Sequence, residues 1–154
     1  MVIREAGLLF RGFNLVKKSY HKTTLGKIDS DLRSGLLTAL LNFAETAFES
    51  DAVEYFEGGK FVIAFINDKI KAEDSVEPEL LISYTILDKE KKIDKHIKKV
   101  IKPMLTKLAI EFKTKNETKN LSEVSQFSAF KKDIDKIFRS ESQNIDQKLQ
   151  GLFY

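Results

Sequence analysis

The sequence predicts an α+β domain of five mostly antiparallel strands with helices on both faces, in the order β-β-α-β-β-β-α-α. Three observations carry this prediction. Two pairs of β-prone runs are joined by short glycine-containing connections, at Gly12 and at Gly58-Gly59. Two runs, FVIAFI (61–66) and LLISYTILD (80–88), are apolar at both parities, as strands inside a doubly covered sheet are. Three further stretches repeat apolar residues at intervals of three and four, the pattern of amphipathic helices. The 154 residues read as a single domain spanning 1–154, long enough to bury roughly 68–70% of the surface that the unfolded chain exposes.

Residues 1–21 form the predicted first hairpin. Val2, Ala6, Leu8 and Phe10 share one parity, which suits a half-buried strand, and Gly12 supplies the turn before FNLVKKSYH. Residues 29–48 are the first helix, introduced by acids and a serine. Residues 52–88 hold three strands. Gly58-Gly59 supplies the positive φ angles of a tight hairpin between the first two, and the charged stretch 67–79, with Pro78 near its end, reads as a mobile loop before the third. Residues 91–150 hold the C-terminal helices. In the first of these, Ile93, Ile97, Val100, Ile101, Met104, Leu105, Leu108 and Phe112 face the core, and Pro103 in their midst predicts a kink or a break. The last helix is expected to start near Ser122 as N-cap and to bury Val124, Phe127, Phe130, Ile134, Ile137 and Phe138.

Composition excludes several chemistries. The chain has no cysteine, so disulfides, thiol catalysis and cysteine-ligated metals are ruled out. Neither Gly26-Lys27 nor Gly59-Lys60 completes a phosphate-binding loop, because His21 and Glu54 stand where the earlier glycine is required and neither lysine precedes Ser or Thr. His21 and His96 are the only histidines and are expected to face solvent; neither has a partner at metal-ligand spacing. No G-x-S-x-G elbow is present. A non-enzymatic protein without catalytic residues, metal or cofactor is the expectation. Arg4 and Glu5 interrupt the apolar start, so no secretory leader is expected and the chain is placed in the cytoplasm.

Charge is unevenly placed. The net charge is +3, yet residues 88–119 hold eleven lysines against five acids. This segment has no arginine, and Phe112 is its one aromatic, so the stacking surfaces that grip nucleic acid are missing. No nucleic-acid partner is expected, and membrane contact is at most peripheral, through the lysine-rich 89–119 helix.

The 29–48 helix carries more apolar surface than one sheet face needs. Leu32, Leu36, Leu40, Phe43 and Ala47 form one stripe, and Leu37, Leu41, Ala44 and Phe48 form a second beside it. Together they sweep about 200°, where packing on a sheet takes about 100° or a little more. The second stripe is covered by neighbouring segments such as 67–79, or it is a protein interface. Leu37, Leu41, Ala44 and Phe48 are the predicted interface residues.

With LLFRGFNLVKKSY as first hairpin, DSDLRSGLLTALLNFAETAFES as first helix and VEYFEGGKFVIAFI as the next, the chain resembles the longin domain of the profilin-like longin/roadblock group. DLRSGLLTALLNFAETAF also resembles the first helix of standalone archaeal longin-like proteins. The resemblance covers nearly the whole chain and rests on element order. It implies a five-stranded antiparallel sheet with the first helix on one face and the last two on the other. It also implies a binding platform that forms a homodimer, pairs with another longin or roadblock protein, or binds a small GTPase in a trafficking-like or signalling complex. The chain departs from SNARE-type members, having no C-terminal heptads, membrane helix or lipidated cysteine. The competing expectation is a small-molecule sensor of PAS-like architecture, whose candidate polar core groups are Ser83 and Thr85, with Tyr84 on the opposite parity.

Overall fold

The computed structural model describes residues 3–20, 54–57 and 61–142. The strands β1 (Ile3–Phe10), β2 (Phe13–Ser19), β3 (Glu54–Glu57), β4 (Phe61–Ile70) and β5 (Glu79–Asp88) form one sheet in the order β2-β1-β5-β4-β3. Every pairing is antiparallel. The predicted α+β class and element order hold for the described residues. The first helix, 29–48, lies outside them, as do the Gly58-Gly59 turn, the 143–150 end of the C-terminal helical region and His21.

Turn chemistry sets the first hairpin. Arg11 (φ 50°) and Gly12 (φ 86°) both take positive φ, as the two-residue type I′ connection requires, and Phe10 pairs with Phe13 across it. A bulge between Leu8 and Leu9 shifts the register further along. β1 is buried on both faces, not on one as its parity suggested. It lies between β2 and β5, and its second face carries Glu5, Gly7 and Leu9, which also close against neighbours.

The two faces of the sheet follow the pleat. Ala6, Leu8, Phe10, Val62, Ala64, Ile66, Leu81 and Leu87 point to the side where the described helices pack. Leu9, Ile63, Phe65, Ile82 and Tyr84 form a second buried cluster on the other side, with Phe56, Leu80 and Ile86 at its margin. Phe56 stacks on Phe65 with ring centroids 5.8 Å apart. Double burial of β4 and β5 is what their two-parity apolar runs predicted.

The lysine-rich helix runs from α1 (Ile93–His96) through a π-helical turn (Ile97–Ile101) into α2 (Lys102–Asn116). Pro103 therefore neither breaks the helix nor stands in a regular α-turn. The turn before it widens, and the Lys102 N–H reaches five residues back to the Ile97 carbonyl. A π-turn there accommodates the proline ring, which in a regular helix collides with the carbonyl four residues earlier. Ile93, Ile97, Ile101, Leu105, Leu108 and Phe112 are buried as expected, over β4 and β5.

The last helical region starts as a 3₁₀ segment (Val124–Phe130) and becomes α3 (Lys131–Ser142), packed over β1 and β2. Ser122 is not its N-cap; the Ser122 N–H is itself taken by Asn120 Oδ1 in a local turn. Phe127, Phe130, Ile134, Ile137 and Phe138 are buried, but Val124 is 40% exposed, because the tighter 3₁₀ period rotates it outward.

The expected mobile loop is shorter and better held than its charge suggested. β4 continues to Ile70, and residues 71–78 are pinned at both sides. Thr118 N–H donates to Lys71 O (2.7 Å), and Glu73 N–H donates to Lys119 O (2.9 Å). Arg11 donates through Nη1 and Nη2 to Asp74 (3.1 Å each) and through Nε to Glu79 (2.9 Å). Arg11 holds both carboxyls below their ordinary values of 3.8 and 4.5, with Ser75 assisting at Glu79. A depressed carboxyl pKa means the clamp's contribution is full above the ordinary values and is lost as pH falls through the lower, folded ones. Amide-exchange protection of 71–78 is thus expected to fall selectively in acid below those values, and Arg11→Gln to remove the pH dependence. Protection that stays level until the whole domain unfolds would contradict this.

Candidate functional site

The predicted interface residues Leu37, Leu41, Ala44 and Phe48 lie outside the described residues. The sensor candidates are placed, and all three are committed to the fold. Ser83 Oγ donates to the Leu105 carbonyl at 2.9 Å, bridging β5 to α2. Thr85 Oγ1 donates to the Glu5 carbonyl at 2.8 Å. Tyr84, on the opposite face, donates to Glu5 Oε2 at 2.6 Å and accepts from Asn14 Nδ2 at 3.0 Å. Glu5 is only 7% exposed, and Ser19 Oγ also donates to it at 3.5 Å. Buried polar groups satisfied in this way stiffen a core.

Two surfaces among the described residues combine an open shape with charge. The first follows from strand order. β2 ends the sheet, so no described strand pairs with its outer edge. A groove of about 600 Å³ runs along that edge, between Asn14–Ser19 on one side and Val124, Ser125, Ser128 and Lys131 on the other. Exposed Val124 offers an apolar contact and the serines offer hydroxyls, while Lys17 and Lys131 are positive and carry no ion pair among the described residues. Lys18 is held 3.8 Å from Asp135 of α3. An unpaired edge beside a groove suits an added strand from an acidic extended segment. Edge lysines and the Leu8/Leu9 bulge also limit indiscriminate pairing.

The second surface is the outer side of the lysine-rich helix. Lys92, Lys95, Lys99 and Lys107 recur at spacings that keep them on one line, interrupted by Pro103 and continued by Ile110. The acid on this helix's first turn, Asp94, is engaged elsewhere: it accepts from Tyr55 Oη of β3 at 2.9 Å and lies 3.4 Å from Lys98. These hydrogen bonds, Tyr55 first, hold the Asp94 carboxyl below its ordinary value. His96, expected to face solvent, is half-buried, with Nε2 shielded from solvent.

The lysine surplus was visible in the sequence as charge. The β2 groove was not, since Lys17-Lys18 alone reads as the solvent side of any strand. No described group of three His, Asp or Glu side chains is arranged to hold a metal ion, and no described helix is long and apolar enough to cross a membrane. Comparison with known proteins assigns no family: no family model matches the chain, and neither does any curated protein or solved structure.

Proposed function

We propose that the chain is a non-enzymatic, longin-like protein-interaction module. It dimerises, pairs with another longin or roadblock protein, or binds a small GTPase, in a trafficking-like or signalling complex in the cytoplasm. The observation that carries this reading is the open β2 edge with its groove. The edge offers unpaired backbone groups, and the groove beside it offers an apolar, hydroxyl-bearing and basic wall. The second stripe of the 29–48 helix, Leu37, Leu41, Ala44 and Phe48, is the other half of the proposed interface.

Light scattering of the wild type, with titration against purified small GTPases in both nucleotide states, tests this. Association is expected in at least one of these experiments. Leu41→Glu is expected to abolish it, and Val124→Asp to weaken it about tenfold, the effect of losing a modest interface contact. A wild type that stays monomeric and binds neither small GTPases nor longin or roadblock proteins ends this reading. The sensor alternative draws no support from Ser83, Thr85 or Tyr84, whose hydroxyls are already used. It would revive if native mass spectrometry found a retained small molecule.

A further inference from the structure

We propose that the outer face of the lysine-rich helix docks the protein on an anionic membrane surface. The inference rests on this helix alone and is independent of the β2 edge. The ammonium groups of Lys91, Lys92, Lys95, Lys99, Lys102 and Lys107 make no hydrogen bond or ion pair with a described residue. This contrasts with Lys113 and Lys115 on the same helix, which are neutralised by Asp68 at 3.0 Å and by Asp133 at 2.8 Å. The free charge is therefore concentrated towards the helix's first half. Acids near it do not cancel it: Asp94 is taken by Tyr55 and Lys98, Glu90 is one carboxylate among the four lysines of the hollow, and Glu111 lies beyond Lys107.

Shape agrees with charge. The opposite side of the helix is seated on the sheet through Ile97, Ile101, Leu105 and Phe112, so the lysines present a ridge to solvent. From Lys92 to Ile110 that ridge is about 27 Å long at the usual helical rise. A shallow hollow of about 350 Å³ is lined by Glu90, Lys91, Lys92, Lys95, His96, Lys99 and Val100, four lysines against one carboxylate, and is wide enough for headgroup oxygens. Ile110 is 53% exposed on the same line, an aliphatic side chain that gains by leaving water at headgroup depth.

The chemistry selects lipid over nucleic acid. Base edges are read by planar, bidentate groups and single strands by aromatic stacking. The face has no arginine, and Phe112, the segment's one aromatic, is fully buried. Lysines act as point charges on flexible stems. They are attracted to a negative surface without needing a fixed geometry, and their stems lie along apolar surface while the ammonium stays wet.

Co-sedimentation with vesicles tests the proposal. The vesicles are phosphatidylcholine alone, or phosphatidylcholine with phosphatidylserine at roughly two to one, in about 0.1 M salt, where charges are screened over about 10 Å. Binding is expected only to the serine-containing vesicles and is expected to weaken as salt rises. Lys95→Gln with Lys99→Gln should lower the partition coefficient roughly 20-fold, since each lysine near such a surface is worth about a factor of five. Lys132→Gln with Lys136→Gln removes the same charge from exposed positions on α3 outside the β2 groove and should change binding by less than about threefold. All four side chains point to solvent, so thermal melts should match the wild type. Three results overturn the proposal: no preference for anionic vesicles, equal losses in the two double variants, or tighter binding to mixed-sequence duplex DNA than to vesicles at the same salt.

Discussion

Phe112→Ala is expected to destabilise the domain by about 3–5 kcal/mol, the usual loss for truncating a fully buried phenylalanine. Phe112 has no solvent exposure. Its ring lies 5.1 Å from that of Phe127 and meets Phe130 edge-on at 5.2 Å. The three rings join α2 to the 3₁₀ segment, so the cavity opens where two elements meet and neither can collapse into it alone. Aromatic pairs in these arrangements add to the loss beyond the area buried. For a domain of this size the melting temperature should fall by roughly 6–20 °C. The same helix supplies the control: Ile110→Ser, on the solvent side, should stay within about 0.5 kcal/mol. Equal effects at the two positions would mean that the helix is rotated from the orientation described. The consequence reaches the candidate groove, because Val124 stands on the segment that Phe127 anchors. Phe112→Ala should weaken partner binding at the β2 edge as well as stability.

Gly7→Ala should cost about 3 kcal/mol although it adds one methyl group. A Cβ at Gly7 would lie 2.7 Å from the Val16 carbonyl oxygen, 2.9 Å from Tyr84 Oη and 3.0 Å from Lys17 Cβ. The first is backbone of the neighbouring strand and yields only if β2 moves away from β1. Tyr84 is fully buried, and its hydroxyl is held by Glu5 and Asn14, so it does not swing aside without leaving a buried carboxylate short of a donor. Overpacking of this kind costs about 1–3 kcal/mol, and the damaged hydrogen bonds add about 1–3 more. Adding Tyr84→Phe to Gly7→Ala removes one of the three obstacles, so in a double-mutant cycle the pair should be less destabilising than the sum of the two singles. Chemical denaturation of the four proteins measures this. A Gly7→Ala variant as stable as the wild type would show that the two strands and Tyr84 do not close over this position.

How much of this was legible in the chain depends on the range of the interaction. Strand and helix identity came from local periodicity, and those readings hold for β4, β5 and the Ile93–Asn116 helix. Val124 was read inward because an α-period was assumed where the chain tightens to 3₁₀, a choice made by how Phe127 and Phe130 meet Phe112. The 67–79 stretch looked like a mobile loop because its composition is charged. Its clamp joins Arg11 to Asp74 and Glu79, more than sixty residues apart in sequence. Gly7 looked like any glycine in a strand until Tyr84 was placed above it.

The candidate surfaces divide in the same way. The sequence by itself determined that one helix carries a large excess of lysine and that two strands are buried on both faces, because charge count and side-chain alternation are properties of contiguous residues. Tertiary structure alone decided which strands stand at the sheet's edges, which acids are already engaged, and which lysines are left with none. Those outcomes depend on the order β2-β1-β5-β4-β3 and on pairs such as Tyr55 with Asp94 and Lys113 with Asp68. Hydrogen bonds and ion pairs act over a few ångströms, and only the folded chain brings residues forty or eighty positions apart within that reach.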